Sequence, residues 1–120
     1  MRHLKLMIVD DHAESRGLVR ELLDGFADEI RECTNGEDAA AQYAEFRPDL
    51  VSMDLNMPLT DGLEATRKIL AKHPTARVIV ISDFDTAELR TAANRVGACQ
   101  FFSKDNLTGL LQHLEHQHRR

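Results

Sequence analysis

Along the whole chain, apolar runs of strand length alternate with segments whose apolar residues recur at helical spacing, and this alternation narrows the available folds more than any other feature. Leu6-Met7-Ile8-Val9 and Val78-Ile79-Val80-Ile81 are continuous apolar runs, the pattern of central parallel strands covered on both faces. Leu50-Val51-Ser52-Met53 is a weaker third. Ile30-Arg31-Glu32-Cys33 and Cys99-Gln100-Phe101-Phe102 are mixed and suit the sheet edges. Between them, helical stripes run through Leu18, Val19, Leu22, Leu23 and Phe26, through Leu89, Ala92, Ala93 and Val96, and through Leu107, Leu110, Leu111 and Leu114. A capping box at Thr34-Asn35-Gly36-Glu37 is expected to open a helix containing Ala39, Ala40 and Tyr43, and a further helix runs from Gly62 to Lys72 before Pro74 stops it.

Five strands and five helices in strict βα alternation, joined by right-handed crossovers, predict an α/β fold with an open, doubly wound parallel sheet and helices on both faces. At 120 residues, without linker, repeat or low-complexity stretch, one domain over 1–120 is expected. Lys and Arg total 15 against 20 Asp and Glu, a net charge of −5, so no basic patch points to direct nucleic-acid or anionic-membrane binding. The N-terminus is too short in apolar residues for a signal peptide or membrane span, which predicts a cytoplasmic protein. Cys33 and Cys99 lack CxxC or Cys/His spacing and read as small core residues.

Ligands of such sheets bind beyond the carboxyl ends of the strands, and polar residues stand there in succession. Asp10-Asp11 follow the first strand, Asp54 the third, Ser82-Asp83 the fourth and Ser103-Lys104 the fifth. Crowded carboxylates raise one another's pKa unless a cation intervenes. Mg²⁺ takes hard oxygen ligands, so Asp10, Asp11 and Asp54 form a candidate metal site. An aspartate there can act as nucleophile toward a phosphoryl group, with Asp54 in that role and Lys104 as fixed cation. Each residue also has an ordinary explanation: Asp11 as a helix cap, Ser82 as a turn hydroxyl, Lys104 as a solvated lysine.

Taken in order and spacing, Ile8-Val9-Asp10-Asp11-His12, Met53-Asp54-Leu55-Asn56-Met57-Pro58 with Asp61-Gly62, Val80-Ile81-Ser82 and Gly97-Ala98-Cys99-Gln100-Phe101-Phe102-Ser103-Lys104 resemble the receiver domain of two-component response regulators, over essentially the whole chain. The resemblance implies the flavodoxin-like fold with strand order 2-1-3-4-5. It implies that Asp54 accepts a phosphoryl group from a sensor histidine kinase or phosphotransfer protein, and that the chain catalyses this transfer to and from itself without being a conventional enzyme. By the same resemblance Asp11, Asp54 and the Asn56 carbonyl ligate Mg²⁺ (or Mn²⁺), while Asp10 acts mostly through a metal-bound water. Ser82 and Lys104 contact the phosphoryl oxygens. Ser82 and Phe101 form the switch, and the fourth helix, fifth strand and fifth helix present the changed surface to a downstream protein, an output domain or a second copy of the chain. Asn56, Asp83 and Phe84 fall where the family tunes the rate of phosphoryl exchange.

Three positions depart from the family pattern. Asp105 replaces the usual proline after the lysine; Lys-Asp recurs in the branch that carries a C-terminal helix-turn-helix, which implies an ancestral or missing output domain. Asp83 replaces a small residue, and either faces the site or turns outward to cap the helix beginning near Thr86. Phe101 replaces the commoner tyrosine, and is either a switch or an ordinary edge-strand core residue. Two rival functions share the architecture. A flavin carrier would want a Ser/Thr/Gly-rich loop where Asp10-Asp11 stand, and an aspartyl-phosphate phosphohydrolase generally carries an acid/base aspartate where Asn56 stands. Of the histidines, His113, His116 and His118 do not share one helical face, and His12 reads as a loop residue.

Overall fold

The computed structural model describes residues 4–56 and 62–117, with the backbone alone at 116 and 117. Strands β1 (Lys5–Val9), β2 (Glu29–Cys33), β3 (Leu50–Asp54), β4 (Val78–Ser82) and β5 (Gln100–Ser103) alternate with helices α1 (Ala13–Leu23), α2 (Ala39–Phe46), α3 (Gly62–Lys72), α4 (Ala87–Arg95) and α5 (Leu107–Gln117). All neighbouring strands run parallel, in the order β2-β1-β3-β4-β5. This is the doubly wound sheet that the alternation predicts, in the flavodoxin-like order that the resemblance implies.

Because successive strand side chains point to opposite faces, each apolar run supplies two cores. Met7, Val9, Val51, Met53, Val78 and Val80 meet Tyr43, Phe46, Ala65, Ile69 and Ala93 from α2, α3 and α4. Leu6, Ile8, Leu50, Ile79 and Ile81 meet Val19, Leu23, Leu110 and Leu114 from α1 and α5 on the other face. The sheet is thus sandwiched, and polar residues are displaced to its rim.

Local expectations fail in instructive places. Leu18 belongs to the predicted α1 stripe but is 57% exposed, because the helix turns Val19, Leu22 and Leu23 toward the sheet and leaves Leu18 at the edge of that face. Phe26 lies past α1 in a short 3₁₀ turn, Asp24–Phe26. The Thr34/Glu37 capping box does not form. Instead Asn35 Oδ1 accepts from the Asp38 N–H at 2.9 Å, and α2 begins only at Ala39, with Asp38 at its N-cap. Cys33 is buried as expected, whereas Cys99 is exposed: it precedes β5 on the open sheet edge, with only its N–H tied to the Val78 carbonyl at 2.9 Å. Met57, Pro58, Asp61, His118, Arg119 and Arg120 lie outside the described residues.

Candidate functional site

Parallel pairing sets the ends of β1, β3 and β4 side by side. Val9 is opposite Met53, Asp54 opposite Ile81, and Ser82 opposite Ser103 on β5. The first polar residue after each apolar run is therefore delivered to one rim.

Asp54 is the last residue of β3 and only 3% exposed. Its Oδ1 accepts from the Asn56 N–H at 3.0 Å and lies 3.4 Å from Lys104 Nζ. Its Oδ2 is buried and has no hydrogen-bond partner among the described residues. Burial pushes the Asp54 carboxyl up to about 6; the negative charge of Asp10 adds to this, while the Asn56 amide and Lys104 oppose it. Asp10 is equally buried, and its Oδ1 accepts from the His12 N–H at 2.9 Å. Asp11 is half-buried, and its Oδ1 is 3.2 Å from His12 Nδ1. His12, not Asp11, occupies the N-cap of α1. Ligand atoms of Asp10, Asp11 and His12 lie within 4.8 Å of one another.

The residues fit a hard divalent cation by their chemistry. Asp10 lies beside Asp54, whose buried Oδ2 has no donor among the described residues, while Asp11 and His12 cluster with Asp10, and Lys104 alone cannot neutralise these carboxylates. Lys104 is shared: its Nζ is 3.4 Å from Asp54 and 3.5 Å from Asp83 Oδ1. Burial pulls its pKa down, yet Asp54, Asp10 and Asp83 together outweigh that and raise it.

Ser82 is fully buried, and its Oγ accepts from the Phe84 N–H at 3.1 Å, which leaves its own O–H free to donate. The Asn56 side chain ties the loop after β3 to the end of β4, with Oδ1 accepting from the Asp83 N–H at 2.7 Å. Asp83 does not cap α4. That place is taken by Thr86, whose Oγ1 accepts from Leu89 N–H at 3.1 Å, and the Asp83 carboxylate turns toward Lys104 instead. Phe84 is 63% exposed beside it. Phe101 is half-buried against the α4 side of the sheet, with the Arg90 guanidinium 4.8 Å from its ring centre and Arg90 held in turn by Asp85. A cleft of about 490 Å³ opens on the rim between His12, Glu14, Ser15, Leu18, Asp83 and Lys104.

Several supporting contacts complete the rim through partners that the sequence does not name. Asp105 N–H donates to Ser103 Oγ at 3.0 Å, a bond that a proline at that position would remove, and this fixes the turn that presents Lys104. Gly62 opens α3 directly against the end of β3, where a Cβ would collide with the Asp54 carbonyl oxygen. Arg16 reaches from α1 to the Asp10 carbonyl and to Glu32 on β2. A helical Arg at this spacing from Asp10 was a possible signal, but its partner on β2 is fixed only by the fold.

Comparison with known proteins agrees with this architecture. The response regulator receiver domain family matches residues 6–115. The chain is 38% identical over 102 residues to the chemotaxis protein CheY of Listeria monocytogenes, covering 84% of this chain and 86% of that protein. It is 34% identical over 101 residues to CheY of Thermotoga maritima, covering 83% and 84%. Among solved structures, a LuxR-family two-component response regulator from Aurantimonas superposes with TM-score 0.87 at 28% identity, covering 97% of this chain and 85% of that one. CheY from Borrelia burgdorferi, in a complex with CheX, BeF₃ and Mg²⁺, superposes with TM-score 0.87 at 25% identity, covering 98% and 90%. This chain belongs to the receiver domain family of two-component response regulators.

Proposed function

We propose that residues 1–120 form a single receiver domain acting as a phosphorylation-controlled switch, with Asp54 as the phosphoryl acceptor. The observation that carries this reading is the buried Asp54 carboxylate at the rim, with Oδ1 3.4 Å from Lys104 Nζ, Oδ2 without a donor among the described residues, and Asp10 of the acidic pair beside it. A phosphohistidine of a sensor histidine kinase or phosphotransfer protein donates: an Asp54 carboxylate oxygen forms the new bond to phosphorus as the bond from phosphorus to the imidazole nitrogen breaks, and the imidazole leaves. Asp10, Asp11, Asp54 and the Asn56 carbonyl would hold Mg²⁺ or Mn²⁺, which when bound supplies positive charge against the oxygens of the transferring group. Lys104 offsets the remaining charge, and the Ser82 O–H is available to donate to a phosphoryl oxygen.

The new contacts to Ser82 and Lys104 bias a two-state surface made of α4, β5 and α5, in which Phe101 is the aromatic element. That surface meets a downstream protein, an output domain or a second copy. Asp83 and Phe84 stand at the entrance and Asn56 braces it, which suits residues that set the exchange rate. A phosphohydrolase reading is disfavoured on a specific ground. Asn56 cannot transfer protons as a carboxylic acid does, and its side-chain oxygen is already engaged by Asp83 N–H.

Intact-mass measurement after incubation with acetyl phosphate and Mg²⁺ tests the proposal. One added phosphoryl mass, labile to hydroxylamine and absent in Asp54→Asn, is expected; undiminished labelling of Asp54→Asn overturns the assignment.

A further inference from the structure

Asp10 is held at three points. Its N–H donates to the Cys33 carbonyl of β2 at 3.0 Å, its carboxylate accepts from the His12 N–H, and its backbone carbonyl accepts from Arg16 Nη1 at 2.9 Å. Arg16 is not a free surface cation. Its side chain is 16% exposed, and its Nε donates to Glu32 Oε1 at 2.8 Å. Glu32 lies on β2, in register with Ile8 of β1, and its second oxygen accepts from Arg20 Nη1 at 2.8 Å. The two arginines hold the Glu32 carboxyl below its ordinary range, the hydrogen bond from Arg16 being the largest cause. A chain of oriented contacts thus runs from the edge strand through one planar guanidinium to the peptide joining Asp10 to Asp11.

We propose that Arg16 is a positioning residue for the cation site: clamped by Glu32, it fixes the Asp10 carbonyl, and with it the direction in which Asp10 and Asp11 present their carboxylates. The inference rests on the reading that Asp10, Asp11 and Asp54 hold Mg²⁺.

Charge and geometry predict opposite signs. A guanidinium acting through its charge repels a divalent cation, so its removal would tighten metal binding. A guanidinium acting as a strut holds the ligands in place, so its removal loosens them and weakens binding. Arg16→Met removes charge and fork together, whereas Arg16→Lys keeps the charge and loses the fork that grips both oxygens at once. Titration of each protein with MgCl₂ by calorimetry is expected to show the Mg²⁺ dissociation constant rising about tenfold in both variants, as for other residues that orient metal ligands. Thermal melting checks that the fold is intact, and hydrogen exchange at the Asp11 and His12 amides in metal-free protein is expected to accelerate while the β4 amides are unchanged. Should Arg16→Met fail to fold, Arg16→Lys carries the same comparison, since a charge effect predicts no change there. Wild-type binding with unchanged or tighter binding by the variants overturns the inference alone. Failure of the wild type to bind Mg²⁺ overturns the cation reading and the inference with it.

Discussion

Two groups of charged residues lie one strand apart and are built on opposite principles. At the ends of β1, β3 and β4, Asp10, Asp54 and Asp83 share one ammonium group, Lys104, and an oxygen of Asp54 has no donor among the described residues. On β2, a single carboxylate, Glu32, is gripped by two arginines. The outcome is read in the pKa values: burial sends Asp54 up to about 6, while Arg16 and Arg20 draw Glu32 down. The edge group is internally satisfied. The rim group is under-compensated, a deficit that the proposed cation binding and phosphoryl transfer would use.

The contrast can be broken most forcefully at Lys104. Lys104→Ala deletes the cation shared by Asp54 and Asp83, and we expect phosphorylation by acetyl phosphate to slow by about a hundredfold, the scale for losing one preorganised charge-stabilising group. Mg²⁺ binding should change far less. In beryllofluoride titrations, amide shifts on α4, β5 and α5 that respond as strongly in the variant as in the wild type would remove Lys104 from the switch.

Asp54→Asn should raise stability by about 1–3 kcal/mol at pH 7, by removing a buried charge. The sign follows from Asp54 titrating near 6 in the fold against an ordinary 3.8. Between those values the folded state holds the extra proton, so wild-type stability declines as pH rises through the window and the deficit is complete above about 6. Below the ordinary value it vanishes. Urea unfolding of both proteins at pH 4 and pH 7 measures this; equal differences at the two pH values would refute it.

On the other side of the comparison, Glu32→Gln should lower stability by about 0.5–1 kcal/mol at pH 7, the modest scale of a partly exposed ion pair. Because the carboxyl titrates below its ordinary range, this contribution is present above that range and disappears as pH falls through the lowered value. The smallest effect belongs to Asp83→Ala. Its carboxylate is about half exposed, and we expect phosphorylation to speed by a few-fold with slightly weaker Mg²⁺ binding, both differences shrinking at high salt. If neither quantity moves, Asp83 does not tune the site.

The sheet was legible because β-branched and apolar runs are buried on both faces, where no polar neighbour blurs the signal. The residues of the rim were legible for the complementary reason: each is the first polar residue after such a run, and parallel register brings successive strand ends together. What escaped is what depends on partners distant in sequence. Leu18 satisfies the helical period, yet α1 packs on the sheet through Val19, Leu22 and Leu23 and leaves Leu18 exposed. Thr34 and Glu37 spell a capping box, but Asn35 makes the equivalent three-residue bond to the Asp38 N–H instead. The Asn56 oxygen meets Asp83 N–H across 27 positions, and Arg16 meets Glu32 across 16, so neither pairing leaves a local pattern.

The strand order also leaves β2 and β5 as the two edges, and their residues bear on how the protein behaves when concentrated. An exposed edge offers unpaired N–H and C=O groups to any other chain, and recruitment of further strands is the first step toward aggregates. β2 carries Glu29, Arg31 and Glu32 in five residues, so a second copy docking there would have to desolvate fixed charges. β5 is only four residues long and gives way at once to the turn at Lys104–Asn106. One edge is guarded by charge and the other by brevity, which favours a sheet that stays at five strands at high concentration.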